Sequence, residues 1–556
     1  MTKRSGGQIL VDQLSIHGAT HVFCVPGESY LAVLDALHDS AIKTIVCRQE
    51  GGAAYMAEAA GKLTGRPGIV MVTRGPGATN ASPGIHIASQ DSTPMIMFVG
   101  QVARNMKERE AFQELDYKAV FGTMAKWVVE IDRAERIPEI ISRAYHVAMQ
   151  GRPGPVVIAL PEDMLIDEVD VPDAIPVEPA IVQPGQGDME RLQRRLLAAK
   201  RPIVLAGGSG WGEQGSRDLV RFAENFDLPV AVTFRRQMLF PADHPNYAGD
   251  LGIGPNPKLL QRVKDADLIL LAGGRLSEMP SQSYELLDIP GDGSRLVHVH
   301  PGTEELNRVY RAGLGIAANP AAFAAAAASL PTPNQVNWAG VASEAHADYI
   351  AWSNPRPVKT AGDVQMAGVM EHLVSVLPAD AVFCNGAGNY ATWVHRFWPF
   401  RAFGTQLAPT SGSMGYGLPA SVAAKALMPE RTVLAFAGDG CFMMNGQEFA
   451  TAIQYDLPII VVVVDNGMYG TIRMHQEREY PGRISATALT NPDFAALARA
   501  YGGHGETVRK TAEFAAALER AQASGKPSII HCLIDPEAIT PARSLSAIRE
   551  AALKAK

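Results

Sequence analysis

Asp439 stands between Gly438 and Gly440, just past a short β-branched apolar run at 432–436. Asn466 follows twenty-seven positions after that aspartate, beyond a second apolar run at 459–464. Both runs have the length and composition of buried parallel strands. The flanking glycines let a backbone turn tightly and approach an anion. Two strand ends would then present oxygen ligands: the Asp439 carboxylate, the Asn466 amide and a backbone carbonyl at Met468. A small hard cation such as Mg²⁺ takes octahedral oxygen ligands, usually one or two carboxylates together with phosphate oxygens. The spacing reads as a metal-diphosphate site with Cys441, Tyr469 and Gly470 in its surroundings. An ordinary tight turn is the alternative for Gly-Asp-Gly alone, and it leaves the second strand end unexplained.

Parallel strands separated by helices must position such a site. From residue 8 to about 165, helical periods alternate with apolar runs at 22–25, 44–47, 68–73, 95–99 and 156–160, the pattern of a doubly wound α/β domain. Runs at 202–206, 229–233, 268–272 and 295–299 form a second set, followed by an alanine-rich helix at 320–330. A third set lies at 381–384, 432–436, 459–464 and 528–532. Stretches at 167–187 and 331–337 read as surface linkers. The expected layout is three α/β domains at 1–166, 188–332 and 355–535, with 536–556 as an exposed helical tail.

A length of 556 residues suits three cores of common size. The 47% hydrophobic and 19% charged content is that of a soluble enzyme, and a net charge of -7 gives no electrostatic reason to expect nucleic acid or an anionic membrane as partner. Cys24, Cys47, Cys384, Cys441 and Cys532 have no metal or framework spacing and read as reduced thiols. With no signal-peptide core and no run of bilayer length, the expected location is the cytoplasm.

Gly-Asp-Gly with its distant Asn resembles the signature of thiamine diphosphate (ThDP) enzymes, whose usual Asn-Asn is Asp465-Asn466 here. Three successive α/β domains with that signature in the third match the ThDP decarboxylase and carboligase superfamily, ordered pyrimidine-binding, middle and diphosphate-binding. The resemblance implies ThDP and Mg²⁺ as cofactors. The stretch Arg48-Gln49-Glu50-Gly51-Gly52-Ala53-Ala54 is similar to the family's pyrimidine site, with Glu50 as the group that exchanges a proton with the cofactor's aminopyrimidine ring. At a strand mouth against a helix of small residues, Glu50 would be partly desolvated; a plain helix cap is the alternative. Ser413-Met414-Gly415-Tyr416-Gly417-Leu418-Pro419 resembles a stretch of acetohydroxyacid synthases in which Met414 would be the wedge that keeps the cofactor bent. Gly388, Asn389 and Tyr390 align with a segment touching the diphosphate, although the usual Gln-His is absent. Pro26, Gly27 and Arg74 to Asn80 complete the first domain's likeness, Asn80 being the candidate polar contact. The pyrimidine site of one subunit faces the diphosphate site of another in this superfamily. That implies a homodimer or homotetramer in which Glu50 meets Asp439 across an interface.

Acetohydroxyacid (acetolactate) synthases match across nearly the whole chain. Phe112-Gln113-Glu114-Leu115-Asp116 resembles their segment over the reaction space, and Lys126-Trp127 their Lys-aromatic pair near the substrate entrance. Lys126 would meet a 2-oxo acid's carboxylate or stand as a solvated surface charge. Two departures concern the acceptor: the synthases' carboxylate-binding Arg is Met279, and their acceptor-setting Trp is His475. The implied activity is decarboxylation or cleavage of a small 2-oxo acid and transfer of the acyl carbanion equivalent to a carbonyl acceptor. Ala206 to Gly210 and the pair Arg235-Arg236 would suit an ADP phosphate from FAD or coenzyme A, or a salt-bridged surface pair. Rivals are a 2-hydroxyacyl-CoA lyase or oxalyl-CoA decarboxylase-like enzyme, and a non-catalytic ThDP-binding subunit.

Overall fold

A computed structural model describes residues 3–555. Its frame is three parallel six-stranded sheets with helices between the strands. The first contains β1 (His21–Cys24), β2 (Lys43–Val46), β3 (Gly68–Val72), β4 (Met95–Gln101), β5 (Trp127–Glu130) and β6 (Pro155–Pro161), in the order β2-β1-β3-β4-β6-β5. The second contains β7 (Pro202–Ala206), β8 (Val230–Thr233), β9 (Tyr247–Leu251), β10 (Leu268–Ala272), β11 (Leu296–His300) and β12 (Leu314–Ala317), in the order β9-β8-β7-β10-β11-β12. The third contains β13 (Val382–Asn385), β14 (Gln406–Leu407), β15 (Val433–Gly438), β16 (Ile460–Asp465), β17 (His504–Val508) and β18 (Ser528–Leu533), in the order β14-β13-β15-β16-β18-β17.

Continuous apolar runs make the central strands: every residue of β4, β6, β15 and β16 is buried, as helices on both faces of a parallel sheet require. The helices used below are α1 (Glu50–Thr64), α2 (Ser82–Asp91), α3 (Ile137–Met149), α4 (Gly417–Leu427), α5 (Gly470–Glu479) and α6 (Leu545–Ala555). In each sheet the winding direction reverses between β1 and β3, between β7 and β10, and between β13 and β15, and in the first and third sheets it turns back again at the last strand. Open α/β sheets bind ligands in the crevice outside the carboxyl ends of strands at such a reversal.

The chain forms two compact units. One holds the first sheet, up to Ala180, together with Pro409–Glu430 and Met443–Ile459, so that α4 packs on α1. The other holds the second and third sheets and α6. Three details differ from the sequence reading. The stretch at 167–187 begins with a strand, Glu168–Val169, paired antiparallel to Arg4–Ser5. The middle core runs past residue 332: Trp338 is buried and its indole N–H donates to the carbonyls of Phe226 and Asp227, each at 3.0 Å. The tail is not free: Leu545 and Ile548 of α6 are buried with Ile539, and Met474 of α5 packs against them. No helix among the described residues is long and apolar enough to cross a membrane.

Candidate active site

In the third sheet the crevice between β13 and β15 gathers the diphosphate candidates. Asp439, directly after β15, is buried, and its Oδ2 accepts from the Met468 N–H at 3.1 Å and from Asn491 Nδ2 at 2.7 Å. Asn491 Nδ2 also reaches Asp465 Oδ1 at 2.9 Å, so one amide bridges two carboxylates. Burial, with the charge of Asp465 added, pushes the Asp439 carboxyl up to about 6. Burial acts the same way on Asp465, but hydrogen bonds from His531, the Gly467 N–H and Asn491 hold its carboxyl below the usual range. Among the described residues, no basic side chain is a hydrogen-bond partner of Asp439. A buried carboxylate without a cationic partner, beside the Met468 backbone and two residues from Asn466, is a donor set that fits a divalent cation.

The glycines serve a further purpose. A Cβ on Gly438 would lie 2.9 Å from the Tyr390 ring and one on Gly440 2.5 Å from Tyr469, so both are needed for tyrosine packing. Tyr390 Oη accepts from the Gly386 N–H at 3.0 Å and meets Cys441 Sγ at 3.2 Å, which ties the turn after β13 to the turn after β15. Gly388 has φ +146°, and the Asn389 N–H donates to Thr471 Oγ at 3.0 Å. Thr471 opens α5, and His475 lies one turn further on the same face. His475 is half-buried beside Arg478 at 2.8 Å, and burial and that charge lower its pKa.

In the first sheet the loops after β1, β2, β3 and β4 converge at the carboxyl ends. Glu50 is the first residue of α1, half-buried, and its Oε2 accepts from Asn80 Nδ2 at 3.0 Å. Gly77 faces Glu50, Gly27 fits against Thr73, and Gly75 fits against Gln113, whose φ is +64°. Arg74 pairs with Glu28 at 2.9 Å and Glu162 at 2.8 Å and ties the loops after β1 and β3 to the turn after β6. Pro26 is exposed beside Gly27, and Phe112 is 73% exposed. The N–H groups of Arg48 and Gln49 both donate to buried Glu448, at 3.0 and 2.9 Å, which anchors the turn into Glu50. In the same unit, Met414 is half-buried and Ser413 Oγ meets Tyr55 Oη at 2.7 Å.

Two sequence expectations are corrected. Lys126 does not face this crevice. It precedes β5, at the amino end of the strand and on the opposite sheet edge from β2, about five strand spacings or ~24 Å away. Its Nζ donates to the carbonyls of Val147 and Gln150, at 2.6 and 2.8 Å, and caps the C-terminus of α3. Arg235 and Arg236 form neither an exposed phosphate cradle nor a surface salt bridge. Both are buried, with Arg235 Nη2 on the Gly386 carbonyl and Arg236 Nε on that of Gly208, each at 2.8 Å. The glycines after β7 and β10 are likewise used internally: a Cβ on Gly208 would lie 1.9 Å from the Gly273 carbonyl. Met279 is half-buried at the turn after β10 and its carbonyl accepts from Gln282 Nε2 at 2.9 Å.

Glu477 on α5 holds the tail in place. Its side chain is 1% exposed and takes both Arg549 Nε and Nη2 at 2.7 Å, with Arg473 Nε at 3.2 Å. The hydrogen bonds from Arg549 bring its carboxyl down to about 2, against burial. A depressed carboxyl stabilises fully above its unfolded pKa and loses that contribution as pH falls toward its folded value. Anchoring of α6 worth about 3 kcal/mol should therefore fade from about pH 4.5 toward 2. Amide exchange of α6 as a function of pH checks this, and Glu477→Gln should abolish the dependence.

Asn491, His531 and Glu448 were not among the sequence candidates. Asn491 sits in Asn491-Pro492, which signals only a turn. His531 was visible as a lone imidazole inside a buried strand, and it meets Asp465 Oδ2 at 2.8 Å.

Residues 4–120, 189–327 and 386–532 match three families described as thiamine pyrophosphate enzyme, N-terminal TPP binding domain, central domain and C-terminal TPP binding domain. The chain is 31% identical over 536 residues to the acetolactate synthase isozyme 2 large subunit of Escherichia coli, covering 96% of each protein. It is 29% identical over 553 residues to a probable acetolactate synthase large subunit of Methanocaldococcus jannaschii, covering 96% of this chain and 93% of that one. It is 30% identical over 512 residues to the acetolactate synthase large subunit of Lactococcus lactis, covering 90% and 87%. With three domain matches in order and an identity of 31% along almost its full length, the chain belongs to the thiamine pyrophosphate enzymes and is acetolactate synthase-like.

Proposed function

We propose that this chain is a ThDP- and Mg²⁺-dependent carboligase that decarboxylates or cleaves a small 2-oxo acid and transfers the acyl unit to a carbonyl acceptor. The observation that carries the proposal is the buried Asp439 carboxylate, without a basic hydrogen-bond partner among the described residues and bonded to the Met468 backbone two residues past Asn466. In this reading Asp439, Asn466 and the Met468 carbonyl hold the metal. Gly388, Asn389, Tyr390, Ser413 and Gly438 to Cys441 border the cofactor, and Met414 supports its bend. The bound cofactor supplies a carbanion nucleophile and an electron sink. Glu50 holds and returns a proton at its carboxyl oxygen, steadied by Asn80. Gln113 and Phe112 border the substrate. The assembly would be a cytoplasmic homodimer or homotetramer whose Glu50 faces Asp439 of another subunit.

Met279 and His475 in place of the synthases' Arg and Trp favour an aldehyde or ketone acceptor over a second 2-oxo acid, because a carboxylate partner is lost. A coenzyme A substrate would call on Arg235 and Arg236, whose guanidinium groups are engaged by carbonyls. The test is a CO2-release screen over small 2-oxo acids, with and without ThDP, Mg²⁺ and added aldehydes. A visible spectrum of protein purified without cofactor decides flavin content. Release that needs both ThDP and Mg²⁺ is expected; silence across the screen in protein that binds ThDP would refute the reading.

A further inference from the structure

Tyr55, Glu58 and Lys62 of α1 are spaced three and four apart and share one helix face. That face meets segment 410–416, which carries Met414. At one end of the segment Thr410 donates its N–H to Asp91 Oδ1 at 2.8 Å, and its hydroxyl donates to the same oxygen. At the other end Tyr416 Oη donates to Glu58 Oε2 at 2.5 Å. Lys62 joins the two ends, pairing with Asp91 and, at 3.2 Å, with Glu58, while its Nζ lies 5.4 Å from the centre of the Tyr416 ring. Thr93 Oγ donates to the other Glu58 oxygen at 2.6 Å. Glu58 is fully buried and Asp91 is 2% exposed.

Packing of α4 on α1 needs only apolar contacts to hold the elements together. Buried ion pairs add little to stability over well-packed apolar groups, and one role for them is to specify a single arrangement. Between the two clamps Gly412 and Gly415 take φ +68° and +79°, so the segment turns sharply on each side of Met414 without regular structure. Its course is set where it is tied: the two end clamps and the Ser413–Tyr55 hydroxyl contact at 2.7 Å all lead to the helix that begins with Glu50, and Asn445 Nδ2 donates to the Gly415 carbonyl at 3.2 Å.

We propose that Glu58, through Tyr416, is a positioning residue that fixes where Met414 stands. The significance for the cofactor rests on the reading of Met414 as its wedge. The test uses the full-length protein labelled with ¹³C-methyl methionine, the Met414 signal being assigned with Met414→Leu. Tyr416→Phe keeps the ring beside Tyr55 and Lys62 and deletes the donor to Glu58. It should shift or broaden the Met414 signal in cofactor-free protein while that of Met56, buried in α1, stays in place. ThDP affinity by calorimetry with Mg²⁺ should fall about tenfold and kcat likewise, with KM for the 2-oxo acid within about twofold. Thr410→Val loosens the opposite clamp and should move the same signal. An unmoved Met414 signal in both variants would overturn the proposal whatever the activity, and so would loss of the fold in both. Absence of ThDP binding by the wild type would instead defeat the functional reading and leave the methyl spectrum to judge the clamp.

Discussion

Glu50→Gln should lower turnover by about 10²–10⁴-fold, the usual loss when a positioned proton-transfer group is removed, with binding of Mg²⁺ and ThDP kept. The local structure makes this substitution informative. Glutamine has nearly the same volume, and its carbonyl oxygen can still accept from Asn80, which lies 3.0 Å from Glu50 Oε2. The start of α1 does not depend on the charge: Gln49 caps it by accepting from the Gly52 N–H at 3.1 Å, and Glu448 holds the two preceding N–H groups. A variant that folds and loads cofactor but does not turn over isolates proton exchange as the missing step. Steady-state rates with calorimetric titration of ThDP decide it, and undiminished turnover would remove Glu50 from the chemistry.

Why so much of this fold is legible in the sequence, and what is not, follows from burial. Thirteen strands are expected from the apolar runs, and all lie in the three sheets. The five that the runs do not mark, β5, β9, β12, β14 and β17, are every one a sheet edge. Central strands are covered on both faces and so carry continuous apolar runs. Most edge strands do not: all four residues of β5 are half-buried, β12 alternates, and β14 has only two residues, whereas β2 is an edge that the run at 44–47 does mark. The signal used to find strands is strongest where both neighbours are strands.

The site divides along a similar line. Residues in short turns at strand ends are legible because a carboxylate framed by glycines, at a fixed distance from a second polar strand end, suits little besides ligand binding, as with Asp439. Side chains that act on those residues from a distance are not. Asn491 joins Asp439 to Asp465 from 52 and 26 positions away, and Glu448 reaches back 400 residues to Arg48. Nothing local in sequence records such pairings. Lys126 misleads for the complementary reason. Its neighbours resemble a substrate entrance, yet the direction of β5 places it at the amino end of the sheet, where α3 presents carbonyls. The direction of an edge strand that no apolar run marks cannot be used.

Asp439→Asn should reverse the order of stability between variant and wild type according to whether cofactors are present. In metal-free wild type the carboxyl is pushed up to about 6 by burial and by Asp465. A raised carboxyl stabilises below its unfolded pKa and loses that contribution as pH rises through the folded value, so above about pH 6 the charged form burdens the fold. Asparagine carries no charge, and its carbonyl oxygen can take the place of Oδ2, which accepts from Met468 N–H and Asn491. Its amide nitrogen would then face the Gly440 N–H that the carboxylate accepts, which offsets part of the gain. At pH 8 without metal the variant should be the more stable by about 1–3 kcal/mol. Adding Mg²⁺ and ThDP should raise the melting temperature of wild type, since a ligand that binds only the native state stabilises it. The variant has lost the only carboxylate among the three expected ligands, and its Mg²⁺ affinity should fall by at least about 100-fold, beyond the loss typical for a partner outside the ligand shell. Its melting temperature should then stay where it was, below that of loaded wild type. Melting curves at pH 8 with and without both cofactors test the pair of statements together, and an unchanged order on loading would mean that Asp439 does not hold the metal.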